Sequence, residues 1–187
     1  MCYITKRKIA DCVKQLMYKK SIRKITIQDI MDETNMSRQS FYYHFRDIYD
    51  VLDWIAKKDF TEKIECENCI TMEEWMIHFL EIIRKEQPFL RKMLKELTWP
   101  EILKYIQTPV EEQMKNLLKN NSLEHTQLYE DKLQFCAEFF STSFSYYMMD
   151  CVYQKKIVSN EQALSDLHFL ISLLENADLS KANTFHC

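Results

Sequence analysis

The chain has 187 residues, 47 % of them hydrophobic, with three prolines, no glycine and a formal net charge of −3. That is enough apolar material for a sizeable core, and the absence of glycine argues against hairpin-rich sheets, dinucleotide-binding fingerprints and phosphate-cradling loops, all of which lean on that residue. No apolar run reaches the ~18 residues of a membrane span, and "MCYITKRKIADCV" lacks the hydrophobic stretch of a signal peptide.

The seven cysteines are odd in number and scattered, which suits a reduced, cytoplasmic protein better than a disulfide scaffold. The charge is unevenly spread. Residues 1–46 carry ten Lys and Arg against four Asp and Glu, a formal +6, and residues 47–187 carry fifteen against twenty-four, a formal −9. A basic head on an acidic body suits a head that meets a polyanion.

In chain order, Ile9, Cys12, Val13, Leu16 and Met17 recur at helical spacing and predict a first helix over 4–20. Thr26, with Asp29 three positions on, caps a second helix, "TIQDIMDE", whose Ile27, Ile30 and Met31 share a face. After the turn "TNM", Ser37 caps a third. Two short helices about so tight a turn make a helix-turn-helix. Asp47 caps a fourth helix reaching about Glu65, and Thr71 with Glu74 forms a capping box for the next. Gln87-Pro88 and Thr108-Pro109 mark two further helix boundaries, because proline is best tolerated in a first helical turn. "KNNSLEHT" is a polar loop, Thr126 to Lys155 a long helix, and Ser159 with Gln162 a last cap; the tail after Asn176 is expected to fray. The fold expected is all-α, with about nine helices: a three-helix DNA-binding domain over 1–48 and a helical domain over 49–187.

The stretch "SRQSFYYHF" concentrates aromatic and hydrogen-bonding side chains. At 100° per residue Phe41 and Phe45 share one face and anchor the third helix, while Gln39, Ser40 and Tyr43 point away, flanked by Arg38, Tyr42 and His44. A second helix projecting such an edge from a basic domain suits the DNA major groove. Arg38 and Gln39, at its exposed N-terminus, match guanine and adenine edges, and Tyr43 a thymine methyl. Tyr42 and His44 are placed for phosphate oxygens, as is Thr26 at the N-terminus of the preceding helix. With Ser37 these residues form the candidate DNA-contacting set.

Across residues 4–55, "ITIQDIMDETNMSRQSFYYHFRDIYDVLDWI" resembles the DNA-binding domain of TetR/AcrR-type transcriptional regulators. The shared pattern is a threonine opening helix two, a short turn, a serine, an aromatic-rich recognition helix and a following amphipathic helix. "FYYHFRDIYDVLDWI" is most similar to the dihydroxyacetone-kinase-operon branch of that family. The resemblance implies a homodimer on a double-stranded DNA operator, controlled by a small-molecule effector or, in that branch, by a protein co-regulator. It implies no enzyme activity and no cofactor. Two positions depart from the pattern: Asn35 stands where the turn usually has glycine, and Ile48 where a phosphate-contacting lysine is common. Asparagine tolerates the left-handed conformation, so the turn survives, and Lys6, Lys8, Lys24 and Arg46 are candidates to replace the missing charge.

In the body, stripes at threes and fours along the two last helices are expected to bury. The resemblance assigns Phe140, Phe144, Cys151, Leu164, Leu167, Ile171 and Leu174 to a dimer interface; an intrachain core is the alternative. Trp75, Phe79, Trp99, Phe139, Tyr147 and Met148 are candidates to line an effector pocket, although aromatics and methionines also build ordinary cores. Cys66-Glu-Asn-Cys69 is a lone CxxC without the further ligands a local zinc site needs. It reads as an incidental loop pair, with a thiol-redox or metal-binding protein as the alternative function. No histidine spacing suggests a metal and no motif suggests a catalytic nucleophile.

Overall fold

Each short helix of the N-terminal third begins where a side-chain oxygen meets an otherwise unpaired backbone N–H. The Thr26 hydroxyl accepts from the Asp29 N–H at 3.2 Å and the Asp29 carboxylate accepts from the Thr26 N–H at 2.7 Å, a complete capping box. Ser37 accepts from the Ser40 N–H at 3.1 Å and Asp47 from the Asp50 N–H at 2.8 Å. In the body, Thr71 and Glu74 form a second complete box, and Ser159 accepts from the Gln162 N–H at 3.1 Å.

The computed structural model describes residues 2–65, 69–120, 127–156 and 158–176. Those residues are helical apart from short connections. The helices are α1 (Cys2–Lys19), α2 (Ile27–Thr34), α3 (Arg38–His44), α4 (Ile48–Ala56), α5 (Met72–Glu96), α6 (Trp99–Asn120), α7 (Gln127–Gln154) and α8 (Asn160–Asn176). A single 3-10 turn (Ile22–Lys24) joins α1 to α2. α4 runs on through a π-helical turn (Lys57–Thr61) into a last turn (Glu62–Ile64), so the chain stays helical about as far as expected. Asn35 closes α2 at φ 55°, ψ 35°, the left-handed geometry its side chain tolerates.

Two expected boundaries are overturned. Pro88 lies inside α5 and Pro109 inside α6, and the one break between them falls at Leu97–Thr98, where Thr98 donates to Glu101. An internal proline removes one helical hydrogen bond and costs ~3 kcal/mol. Burial on both flanks offsets it: Ile82 and Ile83 precede Pro88 in the core, and Phe89, Leu90, Met93 and Leu94 follow it. Pro100, by contrast, sits in the first turn of α6, where proline costs least.

One continuous apolar core runs from Ile9 in α1 to Leu167 in α8. α6 and α7 pair along their lengths; on α7, Ala137, Ser141 and Ser145 recur every four residues, all fully buried, and such small side chains allow close helix approach. Gln107 bonds Thr142 at 2.9 Å across this pair.

The head meets the body through buried charge. Asp59, in the π turn, accepts from Arg7 at 2.7 Å and from Lys14 at 2.9 Å, and Lys14 also donates to Glu86 of α5 at 2.7 Å. Burial alone would raise the Asp59 carboxyl; hydrogen bonds from Lys14 and Arg7 outweigh it and hold the group below its ordinary value. For Lys14, burial works downward, and the bonds to Glu86 and Asp59 hold it above its ordinary value.

Candidate nucleic-acid interface

α3 is held from below by two rings and offers its outer edge to solvent. Phe41 and Phe45 are buried four residues apart, their centroids 6.1 Å from each other, and Phe45 meets Trp54 of α4 edge-on at 6.3 Å. With that face committed, Arg38, Gln39, Tyr42 and Tyr43 are exposed, Tyr43 to 82 %, and Ser40 and His44 are half-buried. Tyr43 and His44 meet edge to face at 4.9 Å. The outer edge of the helix therefore carries a guanidinium, an amide and two phenols, with hydrogen-bonding groups suited to base edges and phosphates.

At the neighbouring helix start the Thr26 hydroxyl donates to Asp29 at 2.7 Å as well as accepting from its N–H. Asp29 also pairs with Lys20 at 2.7 Å, and that bond, then those from Thr26, bring its pKa down to about 2. The Thr26 hydroxyl is thus engaged in its own cap, beside the ionised Asp29 carboxylate.

The candidate replacement charges differ in how free they are. Lys24 is exposed; Lys6 lies over the Phe45 ring at 5.2 Å; Lys8 donates to the Thr34 carbonyl at 2.9 Å, at the C-terminus of α2; and Arg46 lies 3.8 Å from Asp50. Ile48 packs against the core and makes no charged contact.

The body residues singled out by sequence scatter. Trp75 and Phe79 are fully buried and close-packed with Phe144, at 5.6 and 5.0 Å, in a filled aromatic cluster. Trp99 stacks on Tyr146 at 5.0 Å, and Phe139 lies on the outer surface, 65 % exposed. Tyr147 and Met148 do line cavities: Met148 borders one of about 200 Å³ against α5, and both border one of about 170 Å³ against α8.

Of the residues assigned to a dimer interface, Cys151 and Leu167 are buried within the chain, and Phe140 and Phe144 pack against its core. Leu164 is half-buried, Ile171 exposed, and the Leu174 side chain lies outside the described ones. The exposed apolar surface is instead the opposite side of α7, through Phe135, Phe139, Tyr146 and Tyr153, together with Phe169, Leu170 and Leu173 of α8. α7 is apolar on both faces, so spacing alone does not say which faces in.

Cys69 is disulfide-bonded and packs against the core ahead of α5; Cys66 lies outside the described residues. Among the described residues no group of three or more His, Cys, Asp or Glu is arranged to hold a metal, and no helix is long and apolar enough to cross a membrane.

Residues 71–172, more than half of the chain, match the family model TetR_C_8, a transcriptional regulator C-terminal region. The chain belongs to the TetR family of transcriptional regulators. It is 38 % identical over 61 residues to the HTH-type dhaKLM operon transcriptional activator DhaS of Lactococcus lactis subsp. lactis (strain IL1403), a match spanning 33 % of either chain. Two solved structures share the fold. One, the dihydroxyacetone kinase operon activator DhaS, has a TM-score of 0.73 at 17 % identity, over 92 % of this chain and 97 % of the other. The second, a TetR transcriptional regulator from Streptococcus agalactiae 2603V, gives 0.64 at 22 %, over 88 % and 91 %. With DhaS the chain thus shares one sequence stretch and the fold.

Sequence reasoning missed the Arg7–Lys14–Asp59–Glu86 cluster and the cations beside the α5 cavity. Lys14 and Glu86 stand 72 positions apart, and nothing local in either segment signals the pairing.

Proposed function

We propose that the protein is a cytoplasmic homodimer that binds a near-palindromic double-stranded DNA operator through α3. The division at 48/49 separates a DNA-binding head from a body that dimerises and receives the controlling signal, a small molecule or a protein co-regulator. The observation that carries this reading is the outer edge of α3, where Arg38, Gln39, Tyr42 and Tyr43 stand exposed over the buried Phe41 and Phe45. Arg38, Gln39 and Tyr43 read base edges. Tyr42, His44, Ser37, Ser40 and the N-terminus of α2 at Thr26 set the register on the backbone. The exposed aromatic and leucine side chains of α7 and α8 support pairing with a second copy, since apolar area of this kind on a monomer marks an interaction surface.

In a symmetric dimer the two copies of α3 must lie ~34 Å apart to seat in successive major grooves. A modest rotation of the heads then abolishes binding, which is how a body-bound signal acts. The test is to incubate purified protein with fragments of its own genome at fixed moderate salt and sequence what is retained. A short near-palindromic site is the expected result. Failure to retain any fragment even at low salt overturns the reading.

A further inference from the structure

We propose that the cavity between α5, α7 and the α7–α8 connection binds a small carboxylate with a compact apolar group, its anion held by Arg84 and Lys156. This rests on the reading of the protein as a ligand-controlled regulator and names the class of ligand.

The cavity, partly open to solvent, holds about 200 Å³, and its walls include Leu80 and Ile83 of α5, Val152 of α7 and Val158 of the connection. An apolar cavity of about 150 Å³ accepts one benzene ring, so this one suits an apolar group of about six to eight carbons. Met148 and Val158 also border the adjoining cavity of about 170 Å³. Methionine repacks readily, so the wall between the two spaces is adaptable.

Charge selects the other end of the ligand. Arg84 and Lys156 both line the cavity, and among the described residues neither is ion-paired. Among the described residues Arg84 donates to neutral acceptors, the Val158 carbonyl at 3.3 and 3.1 Å and the Asn160 side chain, and Lys156 to the Tyr147 hydroxyl at 3.4 Å. Two exposed cations that border one apolar cavity, with no carboxylate in ion-pair contact and Asp166 acting on Lys156 only at longer range, form a receptor for an anion with an apolar tail.

Lys156 is set there by the backbone. α7 ends with Lys155 at φ 63°, the Lys155 N–H bonding the Val152 carbonyl at 3.3 Å and the Lys156 N–H the Cys151 carbonyl at 2.9 Å. This is a Schellman closure, with a lysine where glycine is usual.

The cavity also connects to the head. Two residues beyond Arg84, Glu86 accepts the bond from Lys14 of α1, and Pro88 has no N–H to offer the Arg84 carbonyl. α5 therefore lacks one helical hydrogen bond at the turn that both lines the cavity and carries Glu86, and an anion drawn onto Arg84 acts on that turn.

The test is calorimetric titration of the full chain at neutral pH with benzoate and cyclohexanecarboxylate, and with benzyl alcohol and cyclohexylmethanol as neutral counterparts. The acids are expected to bind at least about tenfold more tightly than the alcohols, the worth of one charge-assisted bond. Lys156→Gln, at an exposed side chain, removes most of that preference while the alcohols bind as before. Arg84→Gln does the same, but also loosens the Val158 carbonyl, so Lys156→Gln is decisive. Met148→Trp fills the space and abolishes binding of both kinds. Equal affinity for acids and alcohols, no binding of either, or a preference unchanged in Lys156→Gln overturns the proposal. DNA retention without ligand is measured in parallel. Loss of retention with carboxylate binding intact strikes the regulator reading, and retention without carboxylate binding strikes this inference.

Discussion

α2 and α3 are 8 and 7 residues long, whereas α5 and α7 run to 25 and 28. Isolated helices below ~12–15 residues are marginal in water, so the short pair exists only through its caps and a few anchoring side chains. The long helices draw on burial along their whole length, and α5 and α6 absorb an internal proline each. The head thus has little redundancy, and its few anchors leave a whole helix edge exposed. The body has redundancy, and its imperfect packing leaves cavities of about 200 and 170 Å³.

The sharpest test of that contrast is Phe41→Ala. It removes a fully buried ring under a seven-residue helix, and is expected to cost about 3–5 kcal/mol and abolish DNA binding. Helicity by circular dichroism should fall only slightly at low temperature, because the long helices remain. A wholesale loss of helix would mean that head and body are not separable in this way.

Next in size is the seam between the two regions. Asp59→Asn keeps the shape and removes the charge that holds Arg7 and Lys14. Loss of one partner of a buried pair costs ~3–5 kcal/mol. Here Lys14 keeps Glu86 and Arg7 is partly solvated, so about 2–3 kcal/mol is expected from denaturant unfolding. The pH dependence has a definite sign. The Asp59 carboxyl lies below its ordinary value when folded. Its contribution is therefore present above that ordinary value, about 4, and lost as pH falls through the depressed one. Lys14 lies above its ordinary value when folded, so its contribution persists through neutral pH and is lost only in strong alkali. Stability of the wild type should thus fall below about pH 4 more steeply than that of Asp59→Asn. Parallel acid limbs for the two proteins would remove Asp59 from the account.

Smaller again is recognition itself. Gln39→Ala or Tyr43→Ala should reduce discrimination between operator and random DNA by ~1–3 kcal/mol, and Tyr42→Ala should weaken both alike. Competition binding at fixed salt separates the two. Equal losses on both DNAs for Gln39→Ala would end its assignment to base reading.

The same contrast explains how much of the molecule could be read in the sequence. Thr26, Ser37, Asp47, Thr71 and Ser159 each cap a helix where expected, because capping is a local bond between residues three apart. Phe41 and Phe45 are buried as expected because a short helix on a small domain has one inward face. Local rules failed where tertiary packing decides. Pro88 and Pro109 looked like boundaries, but buried neighbours keep the helices intact around them. α7 carries apolar side chains on both faces, so Phe139 turned outward while Phe144 packed beside Trp75. The cluster of Arg7, Lys14, Asp59 and Glu86, and the meeting of Arg84 with Lys156, depend on residues from distant segments. No window of sequence holds either set.

The smallest effect isolates helix length with the chemistry held constant. Thr26 and Thr71 make the same capping box, with Asp29 and Glu74 as partners at the third helical position, on helices of 8 and 25 residues. Replacing either threonine by alanine should cost ~1 kcal/mol in unfolding experiments, since the same N–H loses the same acceptor. The consequences for function should differ. In α2 the frayed turn is much of a helix that packs against α3, so Thr26→Ala should also weaken operator binding. In α5 the frayed turn lies at the far end from Glu86, and Trp75 is already locked into the core with its indole N–H donating to the Ile64 carbonyl at 3.2 Å. Thr71→Ala should therefore leave operator affinity unchanged. Equal losses of DNA binding in the two variants would show that cap energy is shared across the whole chain, and that the head has no separate fragility.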